Sequence, residues 1–131
     1  MRPNRIFLSL DEVESYLPQI KSISSRLNVI HGTISMLSNV RINNGTQNFV
    51  IGLKKDYYKA QYDYHNCLEE LSNLGCIIKH IHNGYIDFAS FLDGRRIYYC
   101  WRIGESGIKY YHPTKINCDN RRKIEFARGL G

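Results

Sequence analysis

The sequence predicts an α+β fold, in which a long antiparallel helical hairpin is packed on a small antiparallel β-meander. Apolar residues recur at every third or fourth position up to residue 74, which is typical of helices. From residue 76 they recur at every second position, which is typical of strands. With 131 residues, the chain is expected to form a single domain over 1–131. Its predicted parts are the helical hairpin (10–74), the β-meander (76–112) and a basic irregular tail (113–131).

The hairpin is predicted from a helix start and two apolar stripes. Ser9 and Glu12 form a capping box, in which each side chain can bond the backbone N–H group of the other residue. The first stripe predicts a helix over about 10–38: Val13, Leu17, Ile20, Ile23, Leu27, Ile30, Ile34 and Leu37. The second predicts a helix over about 53–74: Leu53, Tyr57, Ala60, Tyr64, Cys67, Leu71 and Leu74. The Asn- and Gly-rich segment 39–52 is interpreted as the loop that reverses the chain.

The meander is predicted from turn signals between alternating segments. Asn83-Gly84 and Asp93-Gly94 are strong hairpin turns, and the segments 85–92, 95–103 and 107–112 alternate as strands do. Alternation places Trp101 on the core face of its strand and Cys100 on the opposite face. His112 can oppose either face, because strand register cannot be derived from the sequence.

The composition indicates a globular protein of the cytosol. The hydrophobic fraction of 43% and the charged fraction of 23% exclude a disordered chain. No apolar run reaches the ~20 residues of a membrane span, and no signal-peptide core is found, so we expect no membrane partner. The four cysteines form no C-x-x-C pair and are interpreted as reduced packing residues. No cofactor is expected.

The positive charge is concentrated in the last quarter of the chain. Residues 1–94 carry nine basic and nine acidic residues, whereas residues 95–131 carry nine basic residues against three acidic ones. This asymmetry favours an anionic partner, with nucleic acid as one candidate.

Two long segments resemble an uncharacterised prokaryotic family known as domain of unknown function 2203. They are FLSLDEVESYLP (7–18) and LSNLGCIIKHIHNGYIDFASFLDGRRIYYCWRIGESGIKYYH (71–112). The positions that fit the family's pattern are Asp87, Asp93, Gly94, Arg95, Cys100, Trp101, Arg102, Gly104, Glu105 and His112. Arg121 and Arg122 match a later arginine pair loosely, and NCDN (117–120) replaces the family's "GF.G" element. The resemblance implies no activity.

A ligand- or anion-binding site is predicted from polar residues of the second half of the chain. The candidates are Asp87, Arg102, Glu105, His112, Arg121 and Arg122. Arginine forks suit phosphate or carboxylate groups, and neighbouring tyrosines could stack on a base. The alternative is that Arg102–Glu105 and Asp87–Arg95 are structural ion pairs.

Two further candidate sites, a nucleophilic cysteine and a histidine metal site, are not predicted from the sequence. A nucleophilic Cys100 activated by His112 would need a lowered thiol pKa, and cysteine beside tryptophan on a strand more often packs. His80 and His82, two imidazoles on one strand face, are only weak metal candidates, because a surface histidine pair explains them better.

The resulting hypothesis is a non-enzymatic interaction module. It would self-associate through its helices and bind an anionic partner through its basic C-terminal quarter. The alternative is a small-ligand-binding protein or enzyme with a polar site around Asp87, Arg102, Glu105 and His112.

Overall fold

The computed structural model describes residues 7–38, 47–78 and 83–124, with side chains of the middle range described from residue 52 onward. Two helices are present, α1 (Leu10–Ser38) and α2 (Gln47–Asn73). Five antiparallel strands follow in the sheet order β1-β2-β3-β4-β5. Their bounds are β1 (Cys76–Ile77), β2 (Tyr85–Leu92), β3 (Arg95–Arg102), β4 (Tyr110–Pro113) and β5 (Arg122–Lys123). The predicted α+β class is confirmed.

Helix α1 begins at the predicted capping box. The Ser9 backbone N–H donates to Glu12 Oε1 at 3.1 Å, and the Glu12 N–H donates to Ser9 Oγ at 3.2 Å. These bonds satisfy two of the donors that a helix start leaves without intrahelical partners. Val13, Leu17 and Ile20 are buried, as the apolar stripe predicts.

Helix α2 begins earlier than the sequence predicts. The segment 47–52 was interpreted as loop, but α2 already starts at Gln47 and includes Gly52. A glycine inside a helix costs only about 1 kcal/mol relative to alanine, so it does not end a helix that continues for five further turns. Just after the end of α2, Gly75 has φ +85°, a value that glycine adopts without strain and that is typical of a helix C-terminus.

The described residues divide into two compact units. Residues 22–70 form one unit, and the described residues before and after this range form the other. Within the first unit the two helices pack together: Arg26 Nη2 lies 2.8 Å from Glu70 Oε2, and the rings of His31 and Tyr64 are 6.4 Å apart.

Neither helix, over its described residues, has the length and apolar character that crossing a membrane requires.

The hairpin turn between β2 and β3 has the predicted chemistry. Asp93 and Gly94 both have positive φ values, +52° and +78°. Two successive positive φ values define the type I′ turn, whose twist matches that of the flanking strands. This turn fixes the register of β2 and β3, so that Ile86 lies opposite Trp101 and Asp87 lies opposite Cys100.

Both faces of the central strands are buried. Phe88, Tyr99 and Trp101 share the predicted core face and are at most 5% exposed. Asp87 and Cys100 point to the other face, and they are buried as well, at 2% and 0% exposed.

The segment 113–124 contributes to this second side. Although predicted to be irregular, it contains a short 3-10 helix (Cys118–Asn120) and the strand β5, which pairs with β4. A two-residue strand is too short to produce an alternation in the sequence.

We expect Phe88→Ala to destabilise the protein strongly. Removing this fully buried ring leaves a cavity and lowers the free energy of unfolding by about 3–5 kcal/mol. Phe91→Ala, on the same strand but 50% exposed, is the matched control and should cost less than half as much. Urea unfolding of both variants measures the difference, and equal losses would contradict the described position of the core.

Candidate functional site

Strand register brings three chemically reactive side chains to one face of the sheet. Asp87 on β2 pairs with Cys100 on β3, and Tyr98 on β3 pairs with His112 on β4. Paired residues of an antiparallel sheet point to the same side, and residues two apart on a strand share a face. His112 therefore lies on the face of Cys100 and Asp87, which the sequence left open.

A fourth side chain reaches this face from the short 3-10 helix. Cys118 Sγ lies 3.5 Å from Asp87 Oδ1 and 3.7 Å from His112 Nε2. One donor atom from each of Asp87, Cys100, His112 and Cys118 lies within 4.8 Å of all the others. We call these four residues the polar cluster. The first three are buried, and Cys118 is partly exposed.

The orientation of His112 is determined by the backbone. Its Nδ1 lies 3.0 Å from the carbonyl oxygen of Pro113. Because a carbonyl only accepts hydrogen bonds, Nδ1 carries the proton. The other nitrogen, Nε2, then faces Asp87 Oδ2 at 3.1 Å. In a neutral ring this places a nitrogen lone pair against a carboxylate, so either a second proton or a metal ion must lie between the two atoms.

The environment of Cys100 does not suit a nucleophile. Burial raises the pKa of the Cys100 thiol, and the negative charge of Asp87 raises it further. A catalytic cysteine needs the opposite shift, since the thiolate is the reactive form. The Cys100–His112 pair is therefore better explained by a role other than nucleophilic catalysis.

The polar cluster fits a tetrahedral metal ion. Zinc binds thiolate at about 2.3 Å and imidazole nitrogen or carboxylate oxygen at about 2.0–2.2 Å, so neighbouring donor atoms should lie about 3.4–3.8 Å apart. With Asp87 Oδ2 as the carboxylate donor, Cys118 Sγ lies 3.7 Å from Oδ2 and 3.7 Å from His112 Nε2, both within this range. The 3.1 Å between His112 Nε2 and Asp87 Oδ2 is slightly shorter. The bond from Nδ1 to a backbone carbonyl is also the support that metal-binding histidines usually have.

The other predicted polar residues form a second group beside the cluster. Arg121 makes a two-pronged ion pair with Glu105: Nη1 lies 2.8 Å from Oε1, and Nη2 lies 3.0 Å from Oε2. Its guanidinium also lies 4.0 Å from the ring centre of Tyr110 and 5.2 Å from that of Tyr85. The Arg102 guanidinium lies 5.3 Å from the Tyr85 ring centre. Arg121 is thus held on several sides.

The predicted structural ion pairs take a different form. Glu105 accepts a bond of 2.7 Å from the backbone N–H of Arg102, while its ion pair is with Arg121. Asp87 contacts His112, and Arg95 lies at the far end of the hairpin opposite Leu92.

The remaining predicted residues lie outside both groups. Arg122 is exposed on β5, where it pairs with Tyr111. The weak metal candidates His80 and His82 lie outside the described residues.

The sequence predicts Asp87 and His112 of the polar cluster as site residues. It does not predict that Cys100 and Cys118 join them, because both cysteines are interpreted as packing residues. The spacing C-x₁₁-H-x₅-C of Cys100, His112 and Cys118 matches no familiar zinc motif. The only available signal was that His112 lies between two cysteines in a chain predicted to keep its thiols reduced. Without the position of the tail, this signal could not be distinguished from chance.

We expect Arg121→Ala to destabilise the protein, because it leaves the Glu105 carboxylate partly buried without its ion-pair partner. Losing charged hydrogen bonds of this kind costs about 1.5–3 kcal/mol in the free energy of unfolding. The neighbouring exposed Arg122 provides a matched control, and Arg122→Ala should stay within about 0.5 kcal/mol. Chemical denaturation compares them, and equal effects would show that the Arg121–Glu105 pair contributes nothing specific.

Comparison with known proteins agrees with the sequence resemblance. The family described as uncharacterized conserved protein (DUF2203) matches residues 5–124, nearly the whole chain. No match was found among curated proteins or among solved structures. On the strength of the family match, the chain belongs to the DUF2203 family.

Proposed function

We propose that this protein binds a zinc ion through the polar cluster. The observation that carries the proposal is the convergence of two thiols, one imidazole and one carboxylate within 4.8 Å of one another. Thiolate and imidazole donors favour zinc over magnesium or calcium, which prefer oxygen donors.

A buried ion pair between His112 and Asp87 is the competing explanation. It would require a protonated ring beside the carboxylate, and it would account for the 3.1 Å contact. It leaves the thiols of Cys118 and Cys100 protonated, as weak hydrogen-bond donors to the same carboxylate. A metal ion accounts for all four, since it replaces the protons of both thiols and neutralises Asp87.

The proposed ion would join distant parts of the chain. Its ligands come from β2, β3, β4 and the 3-10 helix of the tail. Binding energy at such a site is also folding energy, because the unfolded chain does not hold the four groups together. The proposal includes the cytosolic location expected from the sequence, where thiols stay reduced and can bind metal.

The freshly purified protein should carry one zinc ion per chain, as measured by native mass spectrometry and elemental analysis. Cys100→Ala and Cys118→Ser should each lower zinc affinity by at least about 10-fold, because each removes a thiolate ligand. Zinc should also stabilise the wild-type protein by about 2.7 kcal/mol at a free concentration of 100 times its Kd.

Cys67 and Cys76 are buried outside the cluster and provide matched controls. Cys67→Ala and Cys76→Ala should keep full zinc stoichiometry even if they lower stability. Circular dichroism checks that the cluster variants fold, with Cys118→Ser the milder change because Cys118 is partly exposed. Zinc binding that survives in both cluster variants, or an absence of stoichiometric binding in the wild type, would refute the proposal.

A second candidate function is binding of an anionic partner by the basic C-terminal quarter. The supporting observation is that most of its described basic side chains are exposed: Arg95, Arg96, Arg102, Lys109, Lys115, Arg122 and Lys123. Arg121 is the exception, because Glu105 already neutralises it. Arg122 and Lys123 on β5 are therefore better candidates for phosphate contacts than Arg121.

If the partner is nucleic acid, affinity for a labelled single-stranded RNA should fall steeply between 50 and 200 mM salt in an anisotropy titration. The double variant Arg122→Glu/Lys123→Glu should weaken binding by at least about 10-fold. Lys54→Glu/Lys55→Glu makes the same charge change at exposed positions of α2 and should have little effect. Equal losses in both double variants would indicate a net-charge effect, and no binding at low salt would exclude this partner.

Self-association through the helices stays a prediction. Exposed apolar side chains on both helices, including Val29 and Met36 on α1 and Tyr58 and Tyr62 on α2, support it. Light scattering at high protein concentration tests it, and a clean monomer would exclude it.

A further inference from the structure

A small cavity lies against the polar cluster. Its volume is about 200 Å³. It is lined by Asn83, Tyr85, Asp87, His112, Ile116, Asn117, Cys118 and Asp119. Three cluster residues form part of its wall, whereas Cys100 does not. A molecule in the cavity would therefore approach a bound ion past Asp87, His112 and Cys118.

The charges around the cavity determine whether a bound molecule should be anionic or neutral. A zinc ion with two thiolates, one carboxylate and a neutral imidazole has a net charge of about −1. Asp119 adds another carboxylate at the cavity wall, while Asn83, Asn117 and Tyr85 contribute neutral polar groups. An additional anion is therefore disfavoured, and a neutral Lewis base is favoured.

The size of the cavity sets an upper limit on that molecule. Water in the liquid occupies about 30 Å³, and a cavity of about 150 Å³ can hold benzene, so this cavity has room for a few water molecules or for one five- or six-membered ring.

Among the four ligands, the carboxylate of Asp87 is the one suited to exchange. It lines the cavity, and it is the only oxygen donor among softer thiolate and imidazole ligands. Zinc sites that perform chemistry keep three protein ligands and leave the fourth position to water or substrate. Cys100, Cys118 and His112 form such a set of three once Asp87 is displaced, and the released carboxylate, still at the cavity wall, accepts a hydrogen bond from the bound water or N–H group.

We propose that the metal in the polar cluster has an exchangeable position on the cavity side, where water or a compact neutral nitrogen base replaces Asp87. This inference rests on the proposed zinc function and deepens it, because it distinguishes a ligand-binding metal centre from a purely structural one. The class of ligand is a neutral nitrogen or oxygen Lewis base no larger than a single five- or six-membered ring.

Cobalt(II) in place of zinc makes the coordination visible in the absorption spectrum. Titration of the cobalt protein with imidazole should change its visible bands in a saturable way, with one imidazole bound per chain. Gel filtration followed by metal analysis must show that cobalt stays bound throughout the titration.

A variant that fills the cavity tests the position of the ligand. Asn117→Trp places a large side chain at an exposed position of the cavity wall, so cobalt binding should persist while imidazole binding weakens by at least about 10-fold, or 1.4 kcal/mol. Thr114→Trp adds the same bulk at an exposed position outside the wall and should leave imidazole binding unchanged.

The outcomes separate the two proposals. If the protein binds no cobalt or zinc, the proposed function itself is wrong. If cobalt binds but its spectrum does not respond to imidazole, the metal centre is closed, so zinc binding stands and the exchangeable position is refuted. An equal response in Asn117→Trp and the wild type would also refute it, because imidazole would then reach the metal by another route.

Discussion

The buried carboxylate of Asp87 is the constraint on which the second side of the sheet depends. A carboxylate at 2% exposure is costly unless a positive charge or several hydrogen-bond donors compensate it. Its neighbours here are His112 and the thiols of Cys100 and Cys118. Each of these can lose or hold a proton, so the charge balance of the whole polar cluster depends on what occupies its centre. The proposed divalent cation would balance this charge with all four groups as ligands, whereas a single shared proton would leave both thiols as weak donors.

The elements that the sequence predicts correctly are those that short-range chemistry determines. The Ser9–Glu12 capping box and the Asp93-Gly94 turn each depend on residues within four positions of one another, and both form as expected. The start of α2 differs from the prediction because the Asn- and Gly-rich composition of 39–52 indicates a loop, whereas the helix already includes 47–52. Short sequence motifs therefore predict whether a segment is helix or strand well, and they predict its first and last residues less well.

The site could be predicted only in part, because its assembly depends on contacts between residues far apart in the chain. Asp87 and His112 were identified as polar candidates, but their meeting requires two successive strand registers to be known. Cys118 was missed because the tail has no periodic pattern, and its approach to Asp87 spans 31 residues. Arg121 is predicted from its charge to bind an anion. In the structure it instead forms an ion pair with Glu105 and lies over the Tyr110 ring.

The Arg121–Glu105 pair explains how the polar cluster can converge before any ion binds. The backbone N–H of Arg121 donates to the carbonyl of Cys118 at 3.3 Å, so the ion pair and the 3-10 helix share one short segment. Glu105 is in turn fixed to β3 through the Arg102 N–H, and Arg121 contacts the Cys100 carbonyl at 3.4 Å. Cys118 is thereby positioned near Cys100 by interactions that need no metal. A site whose ligands are already in place loses less conformational entropy on binding, so this pair should strengthen metal affinity without contacting the ion.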